Sequence, residues 1–247
     1  MNIRNYLDST YLKTASQAGI SEAENSEIAF RCVQEAIDEK FKLVMIRPEY
    51  VLKAKTMISN QKSHLLIGTV IGFHEGTATI QEKCIEAKKA IEDGADELDY
   101  VVNFEAFKSG NIDLIKEEVL TGTRLALEHH KIVKWIIETA ALDIHQIILL
   151  STLIKKVVIS HFKESDYEKV FVKSSTGFYK TVDNKPNGAT VEGITAMLEN
   201  ASPLSVKASG GVKNLEEALR MIRLGVKRIG TSNAKMIVKG LTSSETY

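Results

Sequence analysis

The chain is poor in the residues that cross-link or interrupt a fold: of 247 residues, 2 are cysteine, 3 are proline and 6% are aromatic. Cys32 and Cys84 lie far apart with no CxxC pair, which argues against a disulfide framework and fits two buried thiols in a reducing compartment. So few prolines, and no Gly/Ser-rich run, leave no linker at which to divide the chain. Charge of one sign is missing too, since 32 Lys+Arg balance 32 Asp+Glu. That argues against nucleic acid or an anionic membrane as the main partner, because both demand a net basic face, although local basic clusters remain open. The longest apolar stretch, from Leu65 to Phe73, falls short of the roughly 20 residues a membrane helix takes. The polar start, Met1 to Asp8, lacks the apolar centre of a signal peptide, so a cytoplasmic protein is expected. What is present is chain enough to bury roughly three quarters of its unfolded surface. One domain over 1–247 is expected, ending in a polar, mobile tail over 241–247.

Two kinds of segment alternate. Short β-branched runs at Lys42–Ile46, Leu65–Gly72, Glu97–Asn103, Val133–Thr139, Lys169–Ser174, Leu204–Ala208 and Arg228–Thr231 read as strands, with a weaker one near Asn5–Thr10. Several are apolar on both faces, as in a buried parallel sheet. Amphipathic stretches at Glu22–Lys40, Glu49–Ser59, Thr77–Asp93, Ile112–His129, Ile144–Ser160, Val191–Glu199 and Leu215–Leu224 read as helices. Thr190 is placed as an N-cap, Asn214 with Glu217 as a capping box, and Gly94 and Gly225 as left-handed residues closing helices. About eight strands, each followed by a helix, predict a single (β/α)8 TIM barrel of the α/β class. A doubly wound sheet fits less well, since neither GxGxxG nor GxxxxGK[ST] occurs.

Barrels of this kind carry chemistry at the C-terminal ends of their strands. Lys173, in Val-Phe-Val-Lys-Ser-Ser-Thr-Gly-Phe, and Lys207, in Leu-Ser-Val-Lys-Ala-Ser-Gly-Gly, end neighbouring strands at matching positions. Strands about 4.8 Å apart predict amines within roughly 5 Å and a repulsion of about 3 kcal/mol at an effective dielectric near 20. Such a repulsion moves one lysine from about 10.4 to about 8, leaving roughly 10% neutral at pH 7. A neutral amine is what carbonyl attack needs. Asp99 shares a strand face with Val101 and Asn103 and is expected inside, as counter-charge and proton shuttle. Glu138 and Asp8 make weaker additions to the same lining. Ser209-Gly210-Gly211 and Gly230-Thr231-Ser232 follow the last two strands, where barrels commonly hold phosphate on backbone N–H groups. His74-Glu75-Gly76 lacks the second histidine of a zinc motif, and the six histidines form no ligand cluster with the cysteines.

Five motifs in order resemble the deoxyribose-phosphate aldolases, class I aldolases of the (β/α)8 fold. They are Gly94-Ala-Asp-Glu-Leu-Asp-Tyr-Val-Val-Asn103, Phe171-Val-Lys-Ser-Ser-Thr-Gly-Phe178, Gly188-Ala-Thr-Val-Glu192, Val206-Lys-Ala-Ser-Gly-Gly211 and Arg228-Ile-Gly-Thr-Ser232. The resemblance implies reversible cleavage of 2-deoxy-D-ribose 5-phosphate to acetaldehyde and D-glyceraldehyde 3-phosphate, without metal or cofactor, in deoxyribonucleoside catabolism. It implies that Lys173 forms the Schiff base, Lys207 perturbs it and Asp99 transfers protons. The iminium is expected to drive cleavage at C3–C4. Gly177, Gly210, Gly211, Gly230 and Ser232 align with phosphate-binding positions, and Asp8 joins the substrate-binding set. Partners would be phosphosugar and aldehyde substrates, with room for a homo-oligomer such as a dimer. Three departures stand out: His74 for a usual proline, expected to loosen its loop; Phe178 for a lysine that would contact phosphate; and Met45 for a cysteine. Tyr247 is either a proton relay over the barrel mouth or part of a free tail. The alternatives are another lysine-dependent phosphosugar aldolase, and a non-catalytic phosphosugar-binding barrel whose lysines only bind anions.

Overall fold

Strands apolar on both faces need cover on both, and closing the sheet on itself around packed side chains supplies it. In the computed structural model, which describes residues 2–182 and 186–241, eight parallel strands do this. They are β1 (Leu7–Tyr11), β2 (Leu43–Ile46), β3 (Leu66–Ile71), β4 (Glu97–Val101), β5 (Ile132–Ile136), β6 (Val170–Lys173), β7 (Ser205–Ser209) and β8 (Arg228–Thr231). Each pairs with the next, and β8 pairs with β1, so the barrel is closed. Around it run α1 (Ala15–Ala18), α2 (Glu22–Asp38), α3 (Val51–Asn60), α4 (Ile80–Glu92), α5 (Phe104–Lys108), α6 (Ile112–Glu128), α7 (Ile144–His161), α8 (Val191–Ala201), α9 (Leu215–Leu224) and α10 (Ala234–Lys239). The predicted (β/α)8 barrel is therefore the observed fold.

Helix starts follow local chemistry. Thr79 caps α4 through a reciprocal box with Glu82, and Thr190 accepts from Gly193 N at 3.0 Å. At α9 the expected box is one-sided. Asn214 accepts from Glu217 N, but the Glu217 carboxylate takes Lys213 N instead of the Asn214 amide. Gly94 and Gly225 follow α4 and α9 with φ of 104° and 118°.

Period-two alternation divides the side chains of each strand. Leu98, Tyr100 and Val102 point outward into the main core beneath the helices, with Trp135, whose Nε1 donates to Thr123 Oγ1 at 3.0 Å. Inside the barrel, Leu43, Met45 and Val70 make a small apolar cluster on the β2–β3 side. Val101 and Ile136 line the lumen above the charged residues of β4 and β5, and buried charged side chains fill much of the floor.

Several boundaries differ from the sequence expectation. β4 ends at Val101 because Asn103 turns to cap α5, accepting Ala106 N at 3.0 Å. β5 ends at Ile136, before Glu138 takes a left-handed φ of 54°. α7 is apolar on average over a longer span than Leu65–Phe73, although Lys155 and Lys156 interrupt it. Its 18 residues match a membrane span by length and composition, alone among the described residues. Ile147, Leu150, Ile154, Val157 and Val158 are nevertheless buried in the core, so α7 is read as a packing helix. Cys32 and Cys84 are both free, and burial pushes the Cys32 thiol up to about 11. Tyr247 and the tail from 242 onward lie outside the described residues.

Candidate active site

Register sets the site. Lys173 on β6 is the direct Cα partner of Lys207 on β7, and Lys207 is the partner of Arg228 on β8. Three cations thus stand side by side on neighbouring strands, all pointing inward. Asp99 on β4 is paired with Lys134 on β5 in the same way. None of these five residues is more than 4% exposed. Charges so deeply buried persist only if paired.

The pairing converges on Asp99. Its Oδ2 accepts from Lys173 Nζ and Lys207 Nζ, each at 2.9 Å, and its Oδ1 accepts from Lys134 Nζ at 2.6 Å. Burial alone would raise this carboxyl; Lys134, Lys173 and Lys207 together hold it well below the usual carboxylate range. The Lys173 amine is pushed down to about 8. Burial is the leading cause, Asp99 opposes it, and Lys207 adds a smaller push. Lysine–lysine repulsion alone, at the spacing of neighbouring strands, would give a similar value. The cause is chiefly loss of water, with repulsion second.

Serines align the ends of β6 and β7. Ser174 Oγ donates to Ser209 O at 2.8 Å and accepts from Ser209 N at 2.9 Å. Ser209 Oγ donates to Ser175 O at 2.5 Å. Buried Glu138 clamps the turn after Lys173, accepting from Ser175 Oγ, Thr176 Oγ1 and Thr176 N. Beyond these strands, Gly210 and Gly211 both take left-handed φ, 81° and 82°. Gly188 lies against this turn so closely that a Cβ there would fall 2.3 Å from Gly210 O. Gly177 has φ 81°, Gly230 lies beside the Lys207 stem, and Ser232 is exposed after β8.

The chain as a whole is paralleled in known proteins. The chain is 37% identical over 246 residues to the deoxyribose-phosphate aldolase of Thermococcus gammatolerans, covering 99% of each. It is 36% identical over 248 residues to that of Streptococcus gordonii, covering all of both. The chain belongs to the deoxyribose-phosphate aldolase family. Among solved structures, the tetrameric deoxyribose phosphate aldolase of Aeropyrum pernix superposes with a TM-score of 0.77 at 26% identity, over 96% of this chain and 89% of that one. No family model matches the chain.

As an aldolase of this family, the chain departs from expectation at its barrel mouth. The loop bearing His74 is tied down, not loosened. Gly72 N donates to Glu86 at 2.7 Å, and buried Lys83 donates to Gly76 O and Val101 O, each at 2.7 Å, and to Glu118. His74 stacks on Phe178 at 5.6 Å, and Phe73 meets Phe178 edge-on at 5.1 Å. Phe178 thus closes an aromatic wall at the mouth and packs against the small apolar cluster of Leu12, Leu43, Met45 and Val70.

Asp8 is fully buried near the start of β1 and held by Arg228 and Lys207, which places it on the barrel floor. Sequence reasoning missed Lys134, Glu97 and Arg228. Lys134 did carry a signal, a lysine inside the apolar run Ile-Val-Lys-Trp-Ile. Gly188→Ala is expected to force the Gly210–Gly211 turn apart and destabilise the protein by about 1–3 kcal/mol. Thermal unfolding checks it, and a wild-type melting curve would show that the contact yields without cost.

Proposed function

We propose that the chain reversibly cleaves 2-deoxy-D-ribose 5-phosphate to D-glyceraldehyde 3-phosphate and acetaldehyde through a Schiff base on Lys173. The observation that carries this reading is a buried lysine whose amine loses its proton near pH 8, beside a carboxylate shared with two more lysines. Family membership supplies the substrate, since the relatives at 36–37% identity are deoxyribose-phosphate aldolases.

The chemistry follows from the positions. Neutral Lys173 adds to the C1 aldehyde carbon, and the carbonyl oxygen takes up a proton to give a carbinolamine. A second proton lets that hydroxyl leave as water, forming the iminium. Asp99 touches both Lys173 and Lys207, so it can pass protons between the second lysine and the reacting group. Loss of the C3 hydroxyl proton then sends the C2–C3 bond pair into the iminium, releasing glyceraldehyde phosphate and leaving an enamine. Carbon counting moves the broken bond from the expected C3–C4 to C2–C3, because acetaldehyde has two carbons. Protonation at C2 and addition of water return acetaldehyde and the free amine.

Gly177, Gly210, Gly211 and Ser232, in the turns where β6, β7 and β8 finish, and Gly230 within β8, are assigned to the phosphate. Holding the far end of the sugar positions C1 at Lys173. Asp8 takes no part there, being engaged by Arg228 and Lys207. Free Cys32 and Cys84 and a phosphorylated substrate suit the cytoplasm. Homo-oligomeric assembly, a dimer in the simplest case, is supported by the tetrameric Aeropyrum pernix relative.

Borohydride added with acetaldehyde is expected to leave an ethyl group on Lys173, found by peptide mass mapping. Cleavage of deoxyribose phosphate is expected to rise about tenfold per pH unit below about 8 and level off above, as Lys173 loses its proton. Turnover without the adduct would overturn the role of Lys173. Absence of cleavage would overturn the reaction.

A further inference from the structure

The charges in the barrel floor form a closed, alternating circuit. Starting at Asp99, Oδ1 meets Lys134 Nζ at 2.6 Å, and Lys134 Nζ lies 2.6 Å from Glu97 Oε2. Glu97 Oε1 accepts from Arg228 Nη1 at 2.9 Å, and Arg228 Nε donates to Asp8 Oδ1 at 2.7 Å. Asp8 Oδ2 lies 2.6 Å from Lys207 Nζ, which returns to Asp99 Oδ2 at 2.9 Å. Two of these links, at Glu97 Oε2 and Asp8 Oδ2, are close ion pairs lying off the hydrogen-bonding direction. Three anions alternate with three cations, so the circuit is neutral. Lys173 hangs on Asp99 outside it, as the one surplus positive charge.

We propose that Glu97 and Arg228 are positioning residues that complete a neutral ring beneath Asp99, which makes Lys173 the group that surrenders a proton. The inference rests on the Schiff-base reading of Lys173. Releasing one proton from this buried set brings it to neutrality, and every lysine within the ring is held between two carboxylates, whereas Lys173 touches one. Glu138 lies within electrostatic reach of Lys173 but outside the ring. Just beyond β5, its oxygens accept from Ser175 and Thr176; burial raises its carboxyl, while those hydrogen bonds and Lys173 lower it. It is the same in every ring variant, so it does not affect the sign of their shifts. From β2 and β3 the lumen receives Leu43, Met45, Gly68 and Val70, none of which titrates.

Neutrality makes opposite predictions for two residues that touch neither substrate nor Lys173. In a medium of effective dielectric near 20, one unit charge about 10 Å away moves a proton affinity by about one unit. Glu97→Gln leaves the ring with an excess positive charge, so the acid limb of kcat/KM is expected to fall by about one pH unit. Arg228→Gln leaves an excess negative charge, and the limb is expected to rise by about one unit. The double variant Glu97→Gln/Arg228→Gln restores neutrality and should return the limb to the wild-type position, while Arg228→Lys should hold it there. A purely structural role would lower activity without this pair of opposed shifts. Shifts of one sign, or none, with the Lys173 ethyl adduct still forming, would overturn the ring. A wild-type enzyme that forms no adduct would instead overturn the Schiff-base reading. Should a single variant fail to fold, NMR of the 15N-lysine-labelled wild type decides. The first lysine of the cluster to titrate as pH rises is expected to be Lys173, and any other titrating first would overturn the proposal.

Discussion

Replacing Lys173 by alanine is expected to lower turnover of deoxyribose phosphate by roughly 10⁵-fold or more, as loss of a covalent nucleophile commonly does. Acetaldehyde with borohydride should then leave no adduct. The protein itself is expected to gain from the loss. Lys173 gives up its proton near pH 8 when folded, against the usual lysine value of about 10.4 when unfolded. The unfolded chain therefore binds the extra proton between those values. The cost to folding is fully present below about pH 8 and fades as pH rises toward 10.4. At neutral pH it is on the order of 3 kcal/mol. Lys173→Met, which fills the space without the charge, should recover part of this and melt above the wild type at pH 7, with a smaller difference at pH 10. A catalytic residue that costs stability is a common trade in active sites. Equal or lower melting of Lys173→Met at pH 7 would contradict it.

Asp99→Asn is expected to act in the opposite direction. Three lysines share this one carboxylate, and neutralising it strands their ammonium groups in a site with almost no access to water. Breaking a buried ion pair from one side commonly costs 3–5 kcal/mol, and in a chain of this size that lowers Tm by roughly 10 °C. Turnover should fall by about 10²–10⁴-fold, the usual worth of a proton-transfer group. Asp99 titrates well below the usual carboxylate range, its burial being outweighed by Lys134, Lys173 and Lys207. Its stabilisation is therefore present throughout neutral pH and is lost only as pH falls through that depressed value. Differential scanning calorimetry at pH 7 and in strong acid checks both parts. A variant that melts with the wild type at pH 7 would show that the carboxylate does not hold the cluster.

The contrast between these residues and their neighbours shows what could be read from the sequence. The barrel was legible because strand and helix periods alternate eight times, down to the weak run at β1. Lys173 and Lys207 were legible because they end neighbouring strands beside glycine turns, and the register pairs them. Glu97 and Arg228 open their strands, where a charge reads as an ordinary boundary. Their partners stand across the lumen, a relation no local period encodes. Lys134 was hidden by where the search looked, at strand ends instead of strand centres. The effect of His74 was misjudged for a similar reason. Its loop is held by Lys83, Glu86 and Phe178, all supplied by other segments.

The circuit in the floor also ties catalysis to chain assembly. Asp8 and Arg228 are 220 positions apart, and Glu97 and Arg228 are 131 apart. Until the last strand docks, Asp8 and Glu97 lack their guanidinium, and the remaining charges are unbalanced in an interior still open to water. Such contacts between distant segments form slowly. Recovery of activity on refolding therefore times the arrival of β8, and an enzyme clipped before Arg228 would lose its chemistry along with its closure.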